Sequence, residues 1–184
     1  SSLDISCAVP CAGEAVSIFR LESHRAESAA AALGFDFTAG RLDITTHPFC
    51  SAFGPGDCRL TTRYNPTSFQ DGFFGVLHET GHGLYEQGLP AEHFGTPCGS
   101  YCSLGVHESQ SRLWENQVGR GRAFWEHFFP RLRQAFPGTL DDCNLEQWLS
   151  EINTVRPSFI RVEADSAGFK QGETVMVVPL STDF

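Results

Sequence analysis

The stretch Leu77-His78-Glu79-Thr80-Gly81-His82-Gly83-Leu84-Tyr85-Glu86 decides how this chain is read. Its core is His-Glu-x-x-His, and four residues on a 3.6-residue turn return His82 to the helix face that carries His78. Two imidazoles on one face form a metal clamp. They suit Zn²⁺, which in catalytic sites takes three protein ligands and leaves a fourth position for water or substrate. Glu79 projects beside the first histidine without needing to bind the ion, so it is placed to take a proton from bound water as a general base. The motif therefore predicts metal-assisted hydrolysis.

The flanks support a helix. Phe69, Phe73, Phe74, Val76, Leu77, Leu84 and Tyr85 recur at roughly helical spacing, Pro66 and Thr67 suit a helix start, and Gly88 suits a C-terminal cap. Gly81 and Gly83 each cost about 1 kcal/mol relative to Ala inside a helix. Small residues there let another segment approach closely.

A third ligand is required, and the segment Ser103 to Asn116 offers three: His107, Glu108 and Glu115. Val106, Leu113, Trp114 and Val118 are compatible with a buried helical stripe along it. Spacing alone does not choose among the three, and Glu115 also reads as a solvated face residue.

Four motifs in order carry a resemblance: His47-Pro48-Phe49, Asp57-Cys58-Arg59-Leu60-Thr61, the metal stretch, and Gly105-Val106-His107-Glu108-Ser109-Gln110-Ser111-Arg112-Leu113-Trp114-Glu115-Asn116. From about Leu33 to Asp165 the chain resembles the thermostable carboxypeptidase Taq family of metallocarboxypeptidases. The resemblance implies that His78, His82 and Glu108 are the ligands and Glu79 the catalytic base. It implies release of single residues from peptides with a free C-terminus, with broad specificity. Family members are well over twice as long, so this chain resembles their central catalytic portion. Their later Gln-Asp-x-His-Trp segment has no counterpart here, and the sequence leaves the pattern after Asp165. The reading is a zinc-dependent metallocarboxypeptidase or its catalytic-core fragment. The opposing one is a truncated, non-catalytic metal-binding protein acting by association.

Working outward, Arg41–Thr46 and Cys58–Tyr64 alternate and are rich in β-branched residues, and Gly54-Pro55-Gly56-Asp57 between them is a turn signal. Two short antiparallel strands are predicted beside the metal helix. His47 becomes a candidate hydrogen-bonding or proton-relay group and Arg59 a candidate partner for the substrate carboxylate, since a guanidinium fork suits that anion. Arg59 also reads as a structural partner of Asp57. The family resemblance places Arg161 near the cleft as a second carboxylate candidate.

Gly13 to Leu33 favours a scaffold helix closed by Gly34, after a loose N-terminus over 1–11. Phe124, Trp125, Phe128, Phe129, Leu132 and Phe136 form an aromatic core stripe, with Pro130 kinking or breaking its helix. Asn144-x-x-Gln147 resembles a capping box opening a helix toward Val155. The fold predicted is mainly α: a helical zincin-like metallopeptidase core with a small antiparallel β-hairpin or sheet near the site. It occupies a single domain over 1–184, with a divergent tail over 166–184.

Twenty-two acidic against 13 basic residues give a formal charge of -9, which repels phosphate backbones and argues against nucleic-acid binding. No apolar run approaches the ~18 residues of a membrane span, and no charged-then-apolar leader opens the sequence, so the expected compartment is the cytoplasm. The seven cysteines are an odd number and read mostly as plain thiols. Co²⁺ or Mn²⁺ can share such a ligand set with Zn²⁺. An uncovered apolar face would favour a homo-oligomer.

Overall fold

The motif helix begins where a serine side chain can replace a missing backbone partner. In the computed structural model, which describes residues 26–65 and 68–154 and the backbone of 158–161 and 174–177, Ser68 caps helix α2 (Phe69–Gln87). Its hydroxyl accepts a hydrogen bond from the Asp71 N–H, satisfying one of the donors that every helix start leaves unpaired. Pro66 and Thr67 lie outside the described residues. Gly88 caps the other end, its N–H donating to the Leu84 carbonyl at 3.0 Å.

Upstream, residues 26–32 are helical (α1). Gly34 takes the left-handed φ of 105° that ends this helix, with the Gly34 N–H donating to Ala31 and the Phe35 N–H to Ala30. These two bonds are the Schellman pattern that glycine permits. The turn delivers Phe35 into a core with Ala30, Cys58 and Leu60.

Three strands follow: β1 (Gly40–Ile44), β2 (Phe49–Gly54) and β3 (Asp57–Thr62), in the order β1-β3-β2. The predicted turn at Gly54–Asp57 is present, but it joins β2 to β3, which pair antiparallel. The strand over Arg41–Thr46 is not the first arm of that hairpin. It lies parallel to β3 on the opposite edge, with Leu42 beside Leu60. The sequence hid β2 because Phe-Cys-Ser-Ala-Phe-Gly lacks the β-branched alternation that marked its neighbours. The central strand β3 packs on α2, where Gly83 leaves room for Phe35 and Leu60. A Cβ at position 83 would stand 2.7 and 2.9 Å from their side-chain atoms.

The opposite face of α2 receives helix α3 (Leu104–Arg112), which runs into a π-helical turn over Leu113–Val118. The expected apolar stripe does not bury α3: Val106 is exposed, and Leu113, Trp114 and Val118 are half-buried. Its buried residue is Ser111. The contact is instead made by backbone, because a Cβ at Gly81 would stand 2.6 Å from both the Gln110 carbonyl oxygen and the Ser111 Cα. Glycine at 81 is what lets the two helices meet.

Helix α4 (Arg122–Ala135) continues through Pro130 rather than breaking. Pro130 and the residue four before it, Glu126, are exposed, so the missing backbone bond falls on the solvent side of the helix while the aromatic stripe holds the other face. Trp125 is 1% exposed. Its ring centroid lies 5.6 Å from Phe73 and 4.9 Å from Trp148, and its indole N–H donates to the Gly119 carbonyl at 2.7 Å. Such aromatic pairs add about 0.5–1.5 kcal/mol each beyond their buried area. The α2 face below the metal motif is therefore anchored. The capping box is formed as predicted, with the Asn144 and Gln147 side chains each accepting the other's backbone N–H at 2.9 Å. It opens α5 (Leu145–Ile152).

The described residues fall into two compact units divided after Leu149. In the second, β4 (Ser158–Arg161) pairs antiparallel with β5 (Thr174–Val177). Gly13 to Arg25 lie outside the described residues.

Candidate metal centre

Two turns of sequence logic meet at one point. Helix α2 stacks His78 and His82 on one face, and the close approach at Gly81 brings α3 over them with Glu108 leading. The Glu108 Oε2 atom lies 3.6 Å from His78 Nε2 and 3.3 Å from His82 Nε2. Among the described residues these three form the one group of His, Cys, Asp or Glu whose donor atoms converge, all within 4.8 Å of one another. Two imidazole nitrogens and a carboxylate oxygen are the donor set of an open, catalytic type of zinc site. The residues present fit a divalent cation.

Each donor is held from behind. His78 Nδ1 lies 2.8 Å from Glu115 Oε2, so the hydrogen bond to Glu115 fixes the ring with Nε2 turned toward Glu108. Such carboxylate–histidine pairs orient metal ligands and raise their basicity. Glu115 is thus no solvated face residue: its side chain is 17% exposed. Glu108 is steadied in turn by the Ser111 hydroxyl at 3.1 Å and the Arg112 guanidinium at 2.9 Å. Arg112 reaches Glu115 as well, at 3.4 Å, so one cation spans both carboxylates. The His82 ring stacks on His107, centroids 4.4 Å apart and 15° from parallel. His107 is itself fixed by Glu86, with Nε2 2.8 Å from Oε1.

The charges follow from this arrangement. The Glu115 hydrogen bond holds His78 above the usual imidazole range, against the effect of its burial. Burial, then the neighbouring rings of His107 and His78, pull His82 below it. Burial opposes ionisation of Glu108 and Glu115, but His78 and the hydrogen bonds outweigh it and both carboxyls sit low. Glu79 differs: it is 7% exposed and burial lifts its carboxyl to about 7. A carboxyl near neutrality can both take and return a proton.

His78 and Glu79 line a cleft of about 380 Å³ together with Phe74, Arg112, Glu115 and Arg120. The Arg120 guanidinium lies 3.9 Å over the Phe74 ring. Sequence reasoning passed over Arg112, Arg120 and the role of Glu115. Spacing carried a signal, since Arg112 and Glu115 follow Glu108 by one and two helical turns.

The remaining candidates are placed otherwise. Arg59 is exposed and bound in bidentate fashion by Asp57, with both contacts at 2.8 Å, and it stands over Phe53. This is the structural pairing the sequence allowed. His47 is exposed, and its carbonyl accepts from the Thr45 hydroxyl at 2.6 Å. Neither lines the cleft at Glu79. Arg161 ends β4, and its side chain lies outside the described residues. No helix among the described residues is long and apolar enough to cross a membrane.

The family model of the carboxypeptidase Taq (M32) metallopeptidases matches residues 16–171. The chain belongs to that family. Thermostable carboxypeptidase 1 of Thermus thermophilus is 60% identical over 138 residues, which cover 75% of this chain and 27% of that protein. Carboxypeptidase 1 of Bacillus subtilis is 44% identical over 133 residues, or 72% of this chain and 26% of that one. The crystal structure of the M32 carboxypeptidase from Deinococcus radiodurans R1 superposes with a TM-score of 0.74 at 45% identity, covering 76% of this chain and 28% of that one. This member of the carboxypeptidase Taq family thus spans about a quarter of the length of the curated relatives it matches.

Proposed function

We propose that this chain carries the catalytic metal centre of a carboxypeptidase, with His78, His82 and Glu108 as ligands of Zn²⁺ and Glu79 as the catalytic base. The observation that carries this reading is the convergence of those three donors on one point, next to a buried carboxyl poised near neutrality. A divalent cation held there supplies a Lewis acid for the scissile carbonyl and an acidified water. Glu79 takes a proton from that water and returns it to the leaving amine, for which a pKa near 7 is suited in both directions. Glu115 and Arg112 keep His78 and Glu108 aimed while this happens. Arg161, which the family resemblance places near the cleft, remains the candidate for the free carboxylate of the peptide.

The test is release of the C-terminal residue from an N-blocked dipeptide with added Zn²⁺ or Co²⁺, comparing the chain with Glu79→Gln. Removing a general base of this kind costs about 10²–10⁴-fold in rate, so the variant should be inactive while still binding one metal per chain. Metal binding without turnover in either protein would favour the non-catalytic reading instead.

A further inference from the structure

Cys50 and Cys58 stand apart from the metal chemistry. Their sulfurs lie 3.8 Å apart across the β2–β3 hairpin. Cys50 is paired in register with Leu60 and Cys58 with Ala52, so the two cysteines are diagonal neighbours on one face of the hairpin. Both line a cavity of about 820 Å³ between the hairpin and the C-terminal half of α2, with Glu86, His107, Phe94 and Tyr101 also on its wall. Cys58 is packed in the core, while Cys50 is half-buried and closer to solvent. Cys58 Sγ also touches the Gly83 carbonyl at 3.9 Å, one residue beyond His82.

We propose that Cys50 and Cys58 are a reversible dithiol–disulfide pair, a two-electron oxidation site on the wall of this cavity. A diagonal pair lies at or just beyond the Cα separation that a disulfide spans with the backbone unmoved, so closing the bond draws the strands together locally. The register break between Ala52 and Gly54 lies beside Cys50 and supplies play. A bond made under such strain is readily reduced again, which marks a labile rather than a structural disulfide.

The two thiols are unequal. The hydrogen bond from Cys50 holds the Cys58 thiol below its ordinary value, and the same bond, with burial, pushes Cys50 up. The thiolate that forms is therefore that of Cys58, the nucleophile of the pair. With hydrogen peroxide as oxidant, the Cys58 sulfur attacks one oxygen and the O–O bond breaks. Hydroxide leaves and takes the Cys50 proton, and Cys58 is left as a sulfenic acid. The Cys50 sulfur then displaces that oxygen, and S–S forms as S–O breaks. The oxygen leaves as a second water with the proton Cys58 first gave up. Two electrons pass from sulfur to peroxide.

The assay uses the full chain. Trypsin cuts after Arg41 and Arg59, and the resulting peptide Leu42–Arg59 contains Cys50 and Cys58 and no other cysteine. After peroxide and alkylation, this peptide should be lighter by about 2 Da and carry no alkyl group, since oxidation to a disulfide removes two hydrogens. Dithiothreitol should restore two alkylation sites. Because Cys58 is buried in the core, the control variant is Cys50→Ser, in which Cys58 should retain one alkylation site or gain oxygen and form no loop. The proposal is overturned if Leu42–Arg59 still takes two alkyl groups at a dose that oxidises the exposed Cys98 and Cys102. It is overturned equally if either cysteine links to one elsewhere in the chain. Neither result bears on metal binding or peptidase activity, so this inference stands or falls apart from the proposed function.

Discussion

Replacing Gly81 by alanine tests the geometry that builds the metal centre. The added methyl would sit 2.6 Å from the Gln110 carbonyl oxygen and from the Ser111 Cα, both backbone atoms, whereas ordinary contact begins at 3.4 Å. Helix α3 must therefore retreat by about 0.8 Å or α2 must deform, since neither neighbour is a flexible side-chain tip. Glu108 lies two and three residues before those atoms on the same short helix, so it moves with them away from His78 and His82. Overpacking of this kind costs roughly 1–3 kcal/mol, set against about 1 kcal/mol gained from alanine's helix propensity. Gly75→Ala on the same helix is the matched control, because a Cβ there meets nothing within 4 Å and only the gain remains. Equilibrium urea unfolding of the metal-free chain should thus separate the two variants by about 1–3 kcal/mol, with Gly75→Ala the more stable. Competition titration with a Zn²⁺ chelator should show weaker binding for Gly81→Ala, by about ten- to a hundredfold, and little change for Gly75→Ala. Equal stabilities and equal affinities for the two would refute the claim that backbone contact at Gly81 sets the ligand geometry.

Other consequences are open to measurement. Glu115→Gln keeps the shape but removes the negative partner of His78, and metal affinity should fall by about 10–100-fold with the helical circular dichroism intact; unchanged affinity would remove Glu115 from the site. For pH, the folded-state pKa of Glu79 is raised to about 7, so the folded metal-free chain holds a proton that the unfolded chain has lost. Its stability should fall as pH rises from about 4.5 to 7, by up to roughly 3 kcal/mol for that one group. His78 is also raised and acts in the same sense, contributing stability that is present below about 6.5 and lost as pH rises through its folded value. His82 is lowered and acts in the opposite sense, so the comparison with Glu79→Gln isolates the carboxyl: the variant should lose less stability over that window, and equal losses in the two chains would contradict the burial argument. Apparent metal affinity should run the other way, rising with pH, because binding displaces the His78 proton.

How much of this was legible in the sequence depended on whether the signal was local. The capping box at Asn144 and Gln147 and the glycine stop at Gly34 each rest on hydrogen bonds reaching no more than five residues, and both formed as read. The strand pairing did not, since nothing local in Arg41–Thr46 says which neighbour it will take. Arg59 belongs with the local signals instead, since its guanidinium pairs with the carboxylate two residues away in Asp57, one of the two readings the sequence allows. Pro130 by itself predicts a kink or a break, but the aromatic contacts that hold α4 lie on Phe73 and Trp148, outside its own segment.

The sequence by itself determined that two imidazoles share a helix face with a carboxylate between them, because helical periodicity alone puts His78 over His82. It also determined that residues 81 and 83 could admit close neighbours. Only the tertiary structure decided which neighbours came. Backbone of α3 fills the space at Gly81 and the Phe35–Leu60 core fills the space at Gly83, so that Glu108 faces the His78–His82 pair and Glu115 lies behind His78. The physical reason is that a ligand set is a distance relation among side chains 30 residues apart, and such distances are fixed by packing between elements, which no local pattern encodes.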